Sequence, residues 1–214
     1  MKILISTSYP SSSSFTVIVS PQPASEPVNS LIDIIFNKAT IAKTYNYCRP
    51  TIKNKDEKSY FDAKGVRHCL IEHLQTDELY VTNDISLGVD KNGVLLYGTN
   101  AVGKTSLIRS IGIVVIMAQA GCFVPCKSFE FYPYKNIFTR ILGNDNIFKG
   151  LSTFAVEMSE LRTILKYADE NSLILGDELC SGTEMESAIS IFVTGIKRLH
   201  DINAKFIFAT HLHE

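Results

Sequence analysis

Residues 98–105 read Gly-Thr-Asn-Ala-Val-Gly-Lys-Thr, a G-x-x-x-x-G-K-[ST] match, and this stretch constrains the fold more tightly than any other in the chain. The motif needs a strand before it and a helix after it. Both are present: Val94, Leu95, Leu96 and Tyr97 form an apolar run that leads in, and an apolar-periodic segment leads out from Leu107. A phosphate chain carries several negative charges. Inward-pointing loop N–H groups, the positive end of the following helix and the Lys104 ammonium answer them. Thr105 is placed to set its hydroxyl on Mg²⁺. Gly98 and Gly103 let backbone approach phosphate oxygens, where a Cβ would obstruct the approach or forbid the φ required.

The rest of the chain supplies an α/β frame for that loop. Asp90-Lys91-Asn92-Gly93 makes a tight turn into the first strand. The helix after Lys104 is apolar nearly all round, so burial on more than one side is expected, with Gly121 and Pro125 stopping it. Strands follow at 129–132 and 137–141, then a glycine-bracketed loop over 143–150. An amphipathic helix runs from Phe154 through Met158, Leu161 and Leu165; Glu157, Glu160, Arg162 and Lys166 are assigned to its wet side, and Ser152 and Thr153 to its N-cap. A strand at 173–175, a helix carrying Ile189, Phe192, Ile196 and Leu199, and a strand at 206–210 complete the pattern. Short, continuously apolar strands alternating with helices predict a mostly parallel sheet flanked by helices.

Upstream, a helix is expected from a Ser30 cap through Leu31, Ile35, Ala39 and Tyr45 to a stop at Arg49-Pro50. Short strands at 51–53, 60–61, 66–74 and 80–83 suggest a small antiparallel β layer beside the main sheet. Residues 1–28 are Ser- and Pro-rich and are read as a disordered leader. The chain stops at Glu214 just after a strand, where a complete domain would continue into a helix, so truncation is expected.

The acidic pair Asp177-Glu178 follows an apolar strand, so both carboxylates emerge at the strand end where α/β sheets bind ligands. Asp177 suits a Mg²⁺ ligand, and Glu178 suits orientation and deprotonation of an attacking water; a solvated acidic turn is the plainer alternative. His211 ends another apolar strand on the same edge and can donate to a γ-phosphate, or simply pack. Ser152 can be an ordinary helix cap, or an exposed hydroxyl at an anion-binding helix end.

Composition removes several classes. Lys plus Arg is 21 and Asp plus Glu is 22, a net charge of −1, so overall charge gives no nucleic-acid footprint. The five cysteines are scattered, and the one close pair, Cys122 and Cys126, lacks a second pair at zinc spacing. They are read as reduced thiols. No signal segment and no run of membrane-spanning length is present, and the protein is read as soluble and intracellular.

Together these residues resemble one family, the ATPase domain of MutS-type DNA mismatch-recognition proteins within the ABC-type ATPases. Residues 98–105 carry the resemblance, with 120–125, 137–141, 152–158, 172–178, Ser181-Gly182-Thr183 and 208–211, and it extends weakly back to about Leu31. The resemblance implies an ABC-type P-loop ATPase domain over residues 50–214, truncated at its C-terminal end, with residues 29–49 as the end of a lever-type helix. It implies that ATP and Mg²⁺ are bound by Gly98, Asn100, Ala101, Val102, Gly103, Lys104, Thr105 and Ser106, with Thr105 and Asp177 on the metal and Tyr80 and Val81 against the adenine. Glu178, His211, Lys104 and Ser152 would act in hydrolysis, Ser152 on the nucleotide of the other subunit. The implied partners are a second copy or a MutS-type heterodimer partner, and mismatched or branched double-stranded DNA; no membrane is implied. Thr99, Ala101, Val102, Leu151, Leu179 and Cys180 depart from the family pattern and suggest a divergent viral or organellar branch. Val102 and Leu151 also favour a rival reading, a nucleotide-gated structural clamp with little hydrolysis. A different ABC-type ATPase is the third reading, against which stands the absence of a Leu-Ser-Gly-Gly signature.

Overall fold

The computed structural model describes residues 27–54, 57–74, 80–99, 102–141, 153–177 and 185–210. In chain order the elements are α1 (Pro27–Thr44), β1 (Thr51–Ile52), β2 (Tyr60–Val66), α2 (Ile71–Leu74), β3 (Asn83–Leu87), β4 (Gly93–Tyr97) and α3 (Lys104–Gln119). There follow β5 (Ser128–Tyr132), β6 (Asn136–Arg140), α4 (Thr153–Tyr167), β7 (Ser172–Asp177), α5 (Met185–Asp201) and β8 (Lys205–Thr210). Two compact units divide the chain, Met1–Thr40 and Ile41–Glu214, and every strand belongs to the second. No helix among the described residues is long and apolar enough to cross a membrane.

Both ends of α1 differ from expectation. The helix begins at Pro27, whose fixed φ suits a first helical position, so Ser30 falls inside the first turn instead of capping it. It stops at Thr44, ahead of Arg49-Pro50. Asn46 takes the left-handed conformation, φ 53, and the Tyr47 N–H reaches back to the Ala42 carbonyl at 2.9 Å. That is a helix stop made by asparagine in place of glycine.

The first sheet has the order β1-β5-β2-β3, with β2 antiparallel to both β5 and β3. Strand β2 is one continuous strand where two were expected, and the expected strand over 66–74 is replaced by a turn and the short helix α2. The cause is His68. Its Nδ1 accepts the Leu70 and Ile71 N–H groups at 3.2 and 3.3 Å, which curls the chain out of the extended state. The expected strand over 80–83 also starts later, at Asn83.

The second sheet is all parallel, with the order β4-β8-β7-β6. Its central strands β8 and β7 bury both faces, and the pleat divides their side chains between two cores. Leu173, Leu175, Ile207 and Ala209 join Ile108, Ile111, Val114 and Val115 of α3. Ile174, Phe206 and Phe208 instead join Leu161 and Ile164 of α4 and Ala188, Phe192 and Leu199 of α5. The first core also takes in Phe61, Phe129 and Phe131 of the first sheet, so α3 packs between the two sheets. This explains why its sequence is apolar nearly all round. Close approach is enforced at Gly176, where a Cβ would fall 2.1 Å from the Phe208 ring.

Candidate functional site

Strand β4 ends at Tyr97 and α3 starts at Lys104, so the glycine-containing loop joins a strand end to a helix start. Gly103 sits at the helix N-cap with φ 92 and ψ 13, and Gly98 has φ 151. A Cβ on Gly103 would meet nothing within 4 Å, so its requirement is the left-handed backbone and not space. Among the described residues no side chain caps α3, and the first-turn N–H groups, around Thr105 and Ser106, lie at the positive helix end, where an anion is favoured. Lys104 folds back over the loop. Its Nζ donates to the Gly98 carbonyl at 2.5 Å and the Thr99 carbonyl at 2.8 Å.

Asp177 is the last residue of β7 and is buried, at 4% exposure. Its Oδ2 accepts the Thr105 hydroxyl at 2.5 Å, while its Oδ1 is buried with no hydrogen-bond partner among the described residues. A buried carboxylate oxygen left over beside a hydroxyl is costly unless a cation completes it. The donor set is two hard oxygens at one point, which suits Mg²⁺, an ion that keeps several waters and takes one or two protein ligands. Thr105 and Asp177 therefore fit the metal implied for them.

Sheet order decides which strand ends share this edge. Strand β8 lies between β4 and β7; Tyr97 pairs with Thr210 and Asp177 with Ala209, so β8 ends between the end of β4 and Asp177. His211 is the next residue, and it lies outside the described residues, as do Glu178, Asn100, Ala101 and Ser152. Ser152 directly precedes Thr153, the first residue of α4. Val102 is exposed on the loop. Tyr80 and Val81 stand just before β3, the tyrosine half-buried and the valine exposed.

Sequence reasoning missed one group on the same edge. Arg140 ends β6, opposite Gly176 of β7. Its Nη2 donates to Glu157 Oε1 at 3.2 Å and its Nε lies 3.0 Å from Glu160 Oε2. Glu157 is 1% exposed, so its assignment to the wet side of α4 is overturned: a strand-end guanidinium draws that face of the helix inward. The available signal was a pair of glutamates spaced i, i+3 on an otherwise apolar helix face.

A second ionic cluster joins the exit of α1 to the rest of the second unit. Arg67 donates through Nη2 to the Asn46 and Tyr45 carbonyls at 2.8 and 3.2 Å, pairs through Nη1 with Glu72 at 3.2 Å, and lies over the Tyr47 ring. Burial, then the Glu72 charge, raises the Tyr47 phenol well above its ordinary range.

The model of MutS domain V matches residues 94–214. A mitochondrial DNA mismatch repair protein mutS homologue of Sarcophyton glaucum is 42% identical over 188 residues, covering 86% of this chain and 19% of that protein. A mutS homologue of Acanthamoeba polyphaga mimivirus is 38% identical, covering 86% of this chain and 20% of its own length. The DNA mismatch repair protein MutS of Chlorobaculum tepidum is 40% identical, with 86% of this chain and 21% of that protein covered. The chain thus spans about a fifth of the length of these relatives.

Proposed function

Given that the chain belongs to the MutS family, we propose that it is the ATP-binding and ATP-hydrolysing domain of a MutS-like DNA mismatch repair or recombination protein, forming half of a composite site in a dimer. The observation that carries this reading is the Thr105 hydroxyl held on the buried carboxylate of Asp177, beside a helix start whose N–H groups no side chain caps. It is the arrangement a Mg²⁺-bound polyphosphate requires.

In this reading Lys104 exchanges its loop carbonyls for phosphate oxygens, and the first-turn N–H groups of α3 hold the rest of the phosphate charge. Thr105 and Asp177 would hold Mg²⁺, which would supply neutralising charge to the phosphates, and Tyr80 and Val81 pack on the adenine. Glu178 takes the proton of a water that attacks the γ-phosphorus, giving ADP and phosphate, while His211 donates to the γ-phosphate oxygens. Ser152, ahead of α4, addresses the nucleotide of the second subunit. Nucleotide state is coupled to DNA clamps in segments outside these 214 residues, which fits a net charge of −1 here. The DNA is mismatched or branched duplex, and the setting is a cell interior, an organelle or a virus factory.

The test is sedimentation velocity of the Glu178→Gln chain with and without ATP and Mg²⁺. An ATP-dependent shift from monomer to dimer, abolished by Ser152→Ala or Lys104→Ala, is the expected result. ATP binding without dimerisation would reduce the chain to a nucleotide-binding half-site.

A further inference from the structure

Arg140 holds α4 at two points. Glu157 and Glu160 are three residues apart, so their carboxylates lie on one helix face about one turn along, and a single guanidinium engages both, at 3.2 and 3.0 Å. One contact would fix a distance; two contacts separated along the axis also fix rotation about it. Each residue turns a helix by about 100°, so that rotation decides where the side chains at the helix start point. Arg140 itself is anchored, because it pairs with Gly176 in the sheet, one residue before Asp177. The guanidinium is 14% exposed and Glu157 is 1% exposed, so this is a largely dehydrated pair whose geometry is not shared with solvent. Its other partner, Glu160, is half exposed and adds direction more than stability.

We propose that Arg140 is a positioning residue of the composite site: by gripping Glu157 and Glu160 it ties the start of α4 to the strand edge that carries Asp177, and so aims that helix start at the nucleotide of the second subunit. This rests on the reading of a two-subunit ATP site given above. Nothing in the fold alone demands the grip. A buried ion pair is weak as a source of stability, since its desolvation cost offsets its attraction and apolar side chains of similar volume fill such a space equally well. Position and rotation of α4 are what the ionic pair supplies and an apolar pair does not.

That difference gives the test, made in the intact protein. The double variant Arg140→Met/Glu157→Leu replaces the buried pair by apolar side chains and is expected to fold and to bind ATP within about twofold of the parent, because the phosphate loop is untouched. Its turnover in the dimer is expected to fall by about a hundredfold, the scale of an ångström-sized misplacement of a reacting group. A second variant, Arg140→Lys, keeps the charge but loses the planar fork; it is expected to lower kcat by about tenfold with KM unchanged. Parent-like kcat in a folded, ATP-binding double variant, or in Arg140→Lys should the double variant not fold, overturns the proposal and leaves the pair a packing feature. If the parent protein binds ATP yet neither dimerises nor turns over, the composite-site reading itself falls, and this proposal with it.

Discussion

Thr105 and Asp177 are 72 residues apart in sequence, and the hydroxyl of the first donates to Oδ2 of the second at 2.5 Å. The contact joins the start of α3 to the end of β7 and leaves the buried Oδ1 of Asp177 as an acceptor without a partner among the described residues. An asparagine at 177 could still accept the Thr105 proton but would bring no charge to a cation. Asp177→Asn is therefore expected to lose the Mg²⁺-dependent part of nucleotide affinity, about tenfold to a hundredfold, and to keep the Mg²⁺-independent part. Calorimetric titration with ATP in Mg²⁺ and in chelator measures both; equal losses in the two buffers would remove Asp177 from the metal site.

Gly103 separates backbone strain from steric room. With φ 92 and open space around its missing Cβ, Gly103→Ala is expected to cost about 1–2 kcal/mol through conformation alone. Gly176→Ala meets the Phe208 ring and is expected to cost about 1–3 kcal/mol through overpacking. Urea unfolding gives both values. Phosphate affinity discriminates between them, since only the Gly103 change distorts the loop.

The strand β4, the glycine-containing loop and α3 were legible because the three are contiguous and the motif spans eight residues. The alternating cores of β7 and β8 follow from apolar runs with the same directness. What could not be read is the placement of β8 between β4 and β7, because strand order depends on pairing among residues more than a hundred positions apart. Glu157 was misplaced for a related reason: a glutamate on an amphipathic helix belongs in water unless a cation reaches it, and here the cation comes from another element. The strand expected over 66–74 failed locally, since apolar residues at strand spacing do not reveal that His68 will take two backbone N–H groups.

Arg67 caps the end of α1. The Tyr45 and Asn46 carbonyls follow the last helical turn, and a guanidinium satisfies them while its charge meets the negative helix end and Glu72. Arg67→Ala leaves Glu72 and these carbonyls behind and is expected to cost about 1–3 kcal/mol. Hydrogen exchange should show lost protection at the Tyr45 and Tyr47 amides, which bond back into α1 through Ile41 and Ala42. Unchanged exchange there would mean that the Asn46 stop suffices without a cation.

Cys126 is 2% exposed, and burial, with the nearby Cys48 thiol, pushes its pKa up to about 12. Only thiolate is nucleophilic, so at pH 8 alkylation of the folded chain should be about a thousandfold slower at Cys126 than at an ordinary thiol with a pKa near 9. Mass mapping after timed iodoacetamide treatment measures the rate. Comparable labelling of Cys126 and the half-buried Cys122 would mean that the segment opens readily.

His68 makes folding sensitive to mild acid. Its Nδ1 can accept the Leu70 and Ile71 N–H groups only while that nitrogen carries no proton, so the imidazole is neutral with its hydrogen on Nε2. Burial, then the Arg109 charge, lowers its pKa below the ordinary 6.5. Between the lowered value and 6.5 the unfolded chain holds more protons than the folded one. The His68 contribution is thus fully present above pH 6.5 and is lost as pH falls through the folded-state value. His68→Asn keeps a short acceptor for the same turn but does not titrate in this range. Urea unfolding from pH 7.5 to 5 should therefore find the parent losing stability faster than the variant as the pH drops. Parallel curves would show that another group carries the acid sensitivity and that the His68 turn survives protonation.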